Sequence, residues 1–205
     1  MEFKQQLKRF WHFIWEDDSL LSWIVNIILA FVLIKFIVFP VLGLILGSQF
    51  PLVAVVSSSM DHNAEFDVWW DSSAVCGSFV CKQSDYYKNI GITKEQFQTF
   101  KLKNGFNKGD VMVLSSAKNL EVGDVIVFLA KDGRPIIHRV VKLNPVQTKG
   151  DGNKAQITPA ADPAINEQNI PQEIIIGKAS LRIPFLGWVK IIFASILSLF
   201  GIKVT

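Results

Sequence analysis

The sequence predicts a mainly β domain on the extracytoplasmic side of a membrane, anchored by an N-terminal transmembrane helix and a second apolar segment at the C-terminal end. Three observations carry this. One apolar run covers Leu20–Leu46, another covers 183–202, and between them, over 51–182, short β-branched runs alternate with Gly, Asp and Asn. Half of the 205 residues are hydrophobic and the mean hydropathy is +0.32, too apolar for an ordinary soluble domain. The 21 basic and 18 acidic residues are interleaved along the chain, so no basic tract is present to hold nucleic acid.

Residues 1–19 read as a cytoplasmic segment that includes the cluster Phe10-Trp11-His12-Phe13-Ile14-Trp15. The run 20–46 exceeds the roughly 20 residues a spanning helix requires. Lys35 and Pro40 interrupt it, which predicts a span ending near Phe39 and a kinked or interfacial exit over 40–47. A cleavable signal peptide is the competing reading, but the run outlasts a normal h-region and comes after a long aromatic segment. Lys4, Lys8 and Arg9 keep the N-terminus in the cytoplasm by the positive-inside rule, placing the chain beyond Gly47 outside. The stretch 183–202 contains only Lys190 and is bounded by Lys203, so it reads as a second membrane helix or an amphipathic helix in the interface.

Candidate strands of the β domain are 52–56, 110–114, 124–129, 135–143 and 174–181, several opening after a Gly-Asp pair. The less regular stretch 63–104 is an insertion. It holds Trp69, Trp70 and both cysteines, and Thr93 and Gln96 stand at capping-box spacing for a short helix. Cys76 and Cys81 are too few for a disulfide scaffold and lack further zinc ligands nearby. A local disulfide and two free thiols both fit the spacing.

Strand 52–56 runs into Ser57-Ser58-Ser59-Met60, small hydroxyl residues where the chain leaves a strand. Taken alone, such serines more often bond a turn. Of the three histidines, His12 falls on the cytoplasmic side. His62, three residues after Ser59, reads as a surface or groove residue. His138 lies in Pro-Ile-Ile-His-Arg-Val-Val, where alternation sends Ile136, His138 and Val140 to one face, as a rigid base or as a satisfied core histidine.

Four segments, in order, resemble the type I signal peptidases, in particular their endoplasmic-reticulum and archaeal branch. Ser57-Ser58-Ser59-Met60 is similar to the nucleophile box and Gly123-Asp124-Val125-Ile126-Val127-Phe128 to the Gly-Asp strand box. Ile137-His138-Arg139-Val140-Val141 resembles the box of the general base, with His where the bacterial branch has Lys, and Thr148-Lys149-Gly150-Asp151-Gly152-Asn153 resembles the acidic box. Ile183-Pro184-Phe185-Leu186-Gly187 is similar to members with a second membrane segment.

The resemblance implies a plasma-membrane serine endopeptidase that cuts signal peptides from secretory preproteins after small residues. Ser59 is then the nucleophile, His138 the base, Asp162 the triad acid and Asp151 a supporting carboxylate. The oxyanion is held by the Ser59 N–H and the Ser57 hydroxyl. Aliphatic residues such as Val53, Val55 and Ile137 would form small substrate pockets. The implied partners are the signal peptide, the bilayer, and a secretion channel or accessory subunits; no metal or organic cofactor is called for. Two rivals are a Ser/Lys protease using Lys142 or Lys149, and a non-enzymatic membrane-anchored β module binding through exposed Trp69, Trp70, Tyr86 and Tyr87.

Overall fold

The computed structural model describes residues 2–199 and divides into a unit ending at Ile45 and a unit beginning at Leu46. In the first unit, α1 (Glu2–Trp15) is joined by a short turn to α2 (Leu20–Leu33). Ser19 caps α2 by accepting the Ser22 N–H. A π-helical turn, Ile34–Val38, continues into α3 (Phe39–Leu46), so that Leu20–Leu46 is one unburied 27-residue helix, long and apolar enough to cross a membrane. The helix therefore covers the whole predicted anchor, 20–46, and stays helical over most of the expected kinked or interfacial exit at 40–47. A proline removes one helical N–H and its ring crowds the carbonyl four residues earlier; the wider turn before Pro40 carries the helix past both problems.

The second unit is built on a six-stranded, wholly antiparallel sheet in the order β1-β4-β8-β5-β6-β7. The strands are β1 (Leu52–Ala54), β4 (Val111–Ser115), β5 (Val125–Leu129), β6 (Pro135–Lys142), β7 (Gln147–Lys149) and β8 (Ile175–Ile183). Period-2 alternation sorts their side chains into two cores. Met112, Leu114, Val125, Val127 and Ile137 pack with Val55 and Met60 on one face, whereas Ile126, Phe128 and Val140 pack with Ile165 and Ile170 on the other.

Residues 63–104 make the whole a mixed α/β structure rather than a mainly β one. They form α4 (Phe66–Trp70), a hairpin of β2 (Ser73–Cys76) and β3 (Phe79–Lys82), α5 (Gln83–Asn89) and α6 (Lys94–Thr99). A Cys76–Cys81 disulfide closes the hairpin, and Thr93 caps α6 by accepting the Gln96 N–H. Trp69, Trp70, Tyr87 and Phe97 pack ring against ring and onto Val141 of β6. Three of the four aromatics expected as exposed binding anchors, Trp69, Trp70 and Tyr87, are therefore buried core, and Tyr86 is half-buried beside them. Their burial removes the surface that the binding-module reading required.

The second apolar stretch begins later than predicted, because Ile183 still pairs with Val111 in the sheet and α7 (Trp188–Leu199) starts only at Trp188. Residues 200–202 of that predicted segment lie outside the described residues. Among the described residues, Leu20–Leu46 alone is long and apolar enough to span; α7, with 12 residues, is shorter.

Fully buried Phe97 sits at the centre of the aromatic core with the Arg139 guanidinium 4.8 Å from its ring centroid. Phe97→Ala is expected to cost about 3–5 kcal/mol, with a much smaller loss for Phe97→Leu, measured by urea unfolding of the detergent-solubilised chain.

Candidate active site

The chain leaves β1 at Val55, whose N–H and carbonyl pair with Asp110 O and Gly109 N. It then enters a tight turn in which the Asp61 N–H donates to Ser58 O. Buried Met60 pins this turn to the core and its Sδ accepts the Asp151 N–H at 3.3 Å, so Ser57 and Ser59 are left facing outward on a fixed backbone. Their hydroxyls share a hydrogen bond of 3.2 Å. Among the described residues the Ser59 N–H has no protein acceptor.

His138 comes from β6, opposite Ile126 of β5. Its Nδ1 is 2.5 Å from Oε1 of Glu167, a buried carboxylate that also accepts from Thr148 Oγ1 at 2.9 Å and, through Oε2, from the Ile157 N–H at 2.6 Å. A carboxylate oxygen accepts, so the tautomer that fits this contact has its hydrogen on Nδ1, with Nε2 left free to accept. Gly150 lets the two segments meet. A methyl group placed on it would lie 2.7 Å from Ser59 O and 2.8 Å from His138 Nε2, and the neighbouring Gly152 N–H donates to Ser59 O at 2.8 Å.

Ser57, Ser59 and His138 line one cavity of about 230 Å³, whose apolar walls include Val53, Val56 and Ile137. Two strands bring unpaired edges to it. β1 is the sheet's outermost strand, and the first half of β6 is paired only on the β5 side because β7 begins its pairing at Arg139. Val55, expected as a pocket residue, instead turns into the core.

Neither aspartate expected beside the imidazole is there. Asp162 sits at the cavity rim, where the Arg134 guanidinium donates to it at 2.8 Å and holds its carboxyl below the usual range. Asp151 is buried one residue beyond Gly150, and Arg139 donates to both its oxygens, at 2.9 and 2.6 Å through Nε and Nη2. His62 is buried as well rather than lying on the surface; it stacks on Trp69 and reaches Asp151 Oδ2 at 3.2 Å. Burial alone would raise the Asp151 carboxyl, but Arg139 and His62 hold it down to about 2.

The lysines required by a Ser/Lys mechanism lie elsewhere. Burial pushes Lys149 down to about 8, yet its Nζ donates to Gln83 Oε1 and Gly150 O and lies over the rings of Tyr86 and Tyr87; Lys142 is exposed at the end of β6. Neither lines the cavity of Ser59.

No protein-family model matches this chain, and no curated protein does either.

Sequence reasoning missed Glu167, Thr148 and the spatial role of Gly150. A faint signal exists for the glutamate: Ile165 and Glu167 alternate in a polar loop, and a carboxylate in the phase of a buried isoleucine has to find donors.

The folded-state value of Asp151 lies below the 3.8 of a free carboxyl, so its stabilising effect is complete above that value and lost as pH falls through about 2. The difference corresponds to about 2 kcal/mol. Unfolding measured from pH 5 to pH 2 should show this loss, and Asp151→Asn should abolish it while costing about 3 kcal/mol at neutral pH by stranding Arg139.

Proposed function

We propose that the chain is a membrane-anchored serine endopeptidase that cleaves signal peptides from secretory preproteins, with Ser59 as nucleophile, His138 as general base and Glu167 as the carboxylate that orients it. The observation that carries this reading is that Ser59 and His138 open into one cavity while a buried carboxylate fixes the Nδ1 proton. Ser59 Oγ attacks the scissile carbonyl as His138 Nε2 takes its proton; the imidazolium then protonates the leaving amine, and a water repeats the sequence on the acyl-enzyme. The unbonded Ser59 N–H and the Ser57 hydroxyl stabilise the developing oxyanion. Ser59 is bonded to Ser57 rather than to His138 here, in keeping with unliganded sites whose catalytic hydrogen bonds tighten when substrate arrives.

The substrate class is read from the walls. The open edges of β1 and β6 suit an extended peptide, and Val53, Ala54 and Ile137 leave room for small side chains. The helix Leu20–Leu46 holds the enzyme in the plasma membrane with the second unit outside, on the basis of Lys4, Lys8 and Arg9 before it. A signal peptide threaded into the same bilayer is then presented at high effective concentration.

Cleavage of a labelled preprotein with an A-x-A site by the detergent-purified chain tests the proposal. Ser59→Ala and His138→Ala should each remove all measurable cleavage, Glu167→Gln should lower it about 10⁴-fold, and Asp162→Asn should leave it within a few fold. Cleavage that survives in folded Ser59→Ala sinks the reading. Gly150→Ala should reduce the rate about 100-fold or more by forcing Ser59 and His138 apart, with the fold intact by circular dichroism.

A further inference from the structure

Helix α1 has a use that cleavage chemistry does not supply. Phe3, Leu7, Phe10, Trp11 and Ile14 recur at helical spacing and form one stripe, and every residue from Phe3 to His12 is exposed. Phe3 is 77 % and Trp11 62 % accessible, and within the stripe only Ile14, next to α2, is half-buried. Lys4 and Lys8 flank it on one side, while Gln5, Arg9 and His12 occupy the opposite face.

The junction with α2 indicates what covers the stripe. Ser22 and Asn26 are polar residues in the first two turns of the apolar helix, where an unpaired polar group would be costly. Both are satisfied by the end of α1: Ser22 Oγ donates to Phe13 O at 2.6 Å and Asn26 Nδ2 to Ile14 O at 2.9 Å. These bonds fill carbonyls that a helix C-terminus leaves without intrahelical donors. They also tie α1 to the entrance of the candidate span, within about two helical turns of Leu20. A helix held at that depth with an aromatic stripe and basic flanks matches the water–lipid boundary.

We infer that α1 lies in the membrane interface, its Phe3–Ile14 stripe in the acyl region and Lys4, Lys8 and Arg9 toward anionic headgroups. This rests on Leu20–Leu46 crossing the bilayer. Apart from Glu2 at its first position, α1 carries no acidic residue; Glu16, Asp17 and Asp18 follow it in the turn, where Asp17 Oδ1 accepts the Ser19 N–H at 2.7 Å.

The test uses the full chain in phosphatidylcholine vesicles with and without phosphatidylserine. A spin label is attached singly to Leu7→Cys, Gln5→Cys or Ile28→Cys, and the native cysteines stay in their disulfide. The expected result is that the Leu7 and Ile28 labels are relaxed by oxygen and shielded from an aqueous nickel chelate, with Gln5 the reverse. A Leu7 label as open to the chelate as Gln5, with Ile28 shielded, overturns the inference and leaves the span intact. An unshielded Ile28 label overturns the spanning reading and the inference with it. In phosphatidylserine vesicles, Lys4→Gln/Lys8→Gln/Arg9→Gln should lower the docked fraction reported at Leu7 at least fivefold, with no change in pure phosphatidylcholine. Equal behaviour in both lipids would overturn the headgroup contact.

Discussion

The buried ion pair between Arg139 and Asp151 is the constraint on which the rest of the second unit depends. Its members flank the site in sequence, Arg139 directly after His138 and Asp151 directly after Gly150. Arg139 directs its remaining donors to the carbonyls of Lys101, Leu102 and Gly123, and Asp151 takes the Trp69 indole N–H on its backbone carbonyl. One pair thus joins β6, the turn after β7, the insertion and the β5 entrance. Two charges removed from water are tolerated only when nearly every donor and acceptor is used, and here they are. The same network holds Ser59, because the Asp151 N–H reaches Met60 Sδ and the Gly152 N–H reaches Ser59 O.

This arrangement explains why the insertion is structural rather than an added surface. Trp69 bonds Asp151 and stacks on His62, and Phe97 lies under the Arg139 guanidinium. The aromatics therefore keep water from a charge pair that would weaken in a higher dielectric. The bond from Gln83 Nε2 to Asn153 O and that from the Val75 N–H to Lys154 O tie the insertion to the same turn.

Much of the fold was legible because local pattern and tertiary role coincide. The runs at 110–114, 124–129 and 135–143 are buried strands whose β-branched residues and Gly-Asp openings act locally, and Thr93 caps α6 by a bond that spans three residues. The short strands β2, β3 and β7 were not legible, since their three or four residues sit in no longer apolar run such as the one, 52–56, that marks the equally short β1; nor was the fate of Trp69 and Trp70, since a pair of tryptophans suits a core and a binding surface equally. In the site, Ser59 and His138 could be singled out from their own strands. The carboxylate could not, because what identifies it is a contact across 29 residues that neither loop encodes by spacing.

Backbone geometry shows why Glu167 meets the imidazole and Asp162 does not. Glu167 is paired on both sides, its carbonyl accepting from Thr148 N and its N–H donating to Ile157 O, so the turn Asn166–Asn169 that carries it is held beside β7. From that fixed point the longer glutamate side chain reaches Nδ1 while Thr148 and the Ile157 N–H hold its oxygens in place. Asp162 lies in a turn closed by its own side chain, which accepts the Ala164 N–H, and its other oxygen is taken by Arg134. Moving it to the imidazole would break both bonds, leaving Arg134 to Asp132 alone. Three donors on its two oxygens fix the Glu167 carboxylate in place, and the carboxylate in turn fixes the plane of the imidazole. That is the orienting role which the acyl transfer we propose asks of the partner of His138.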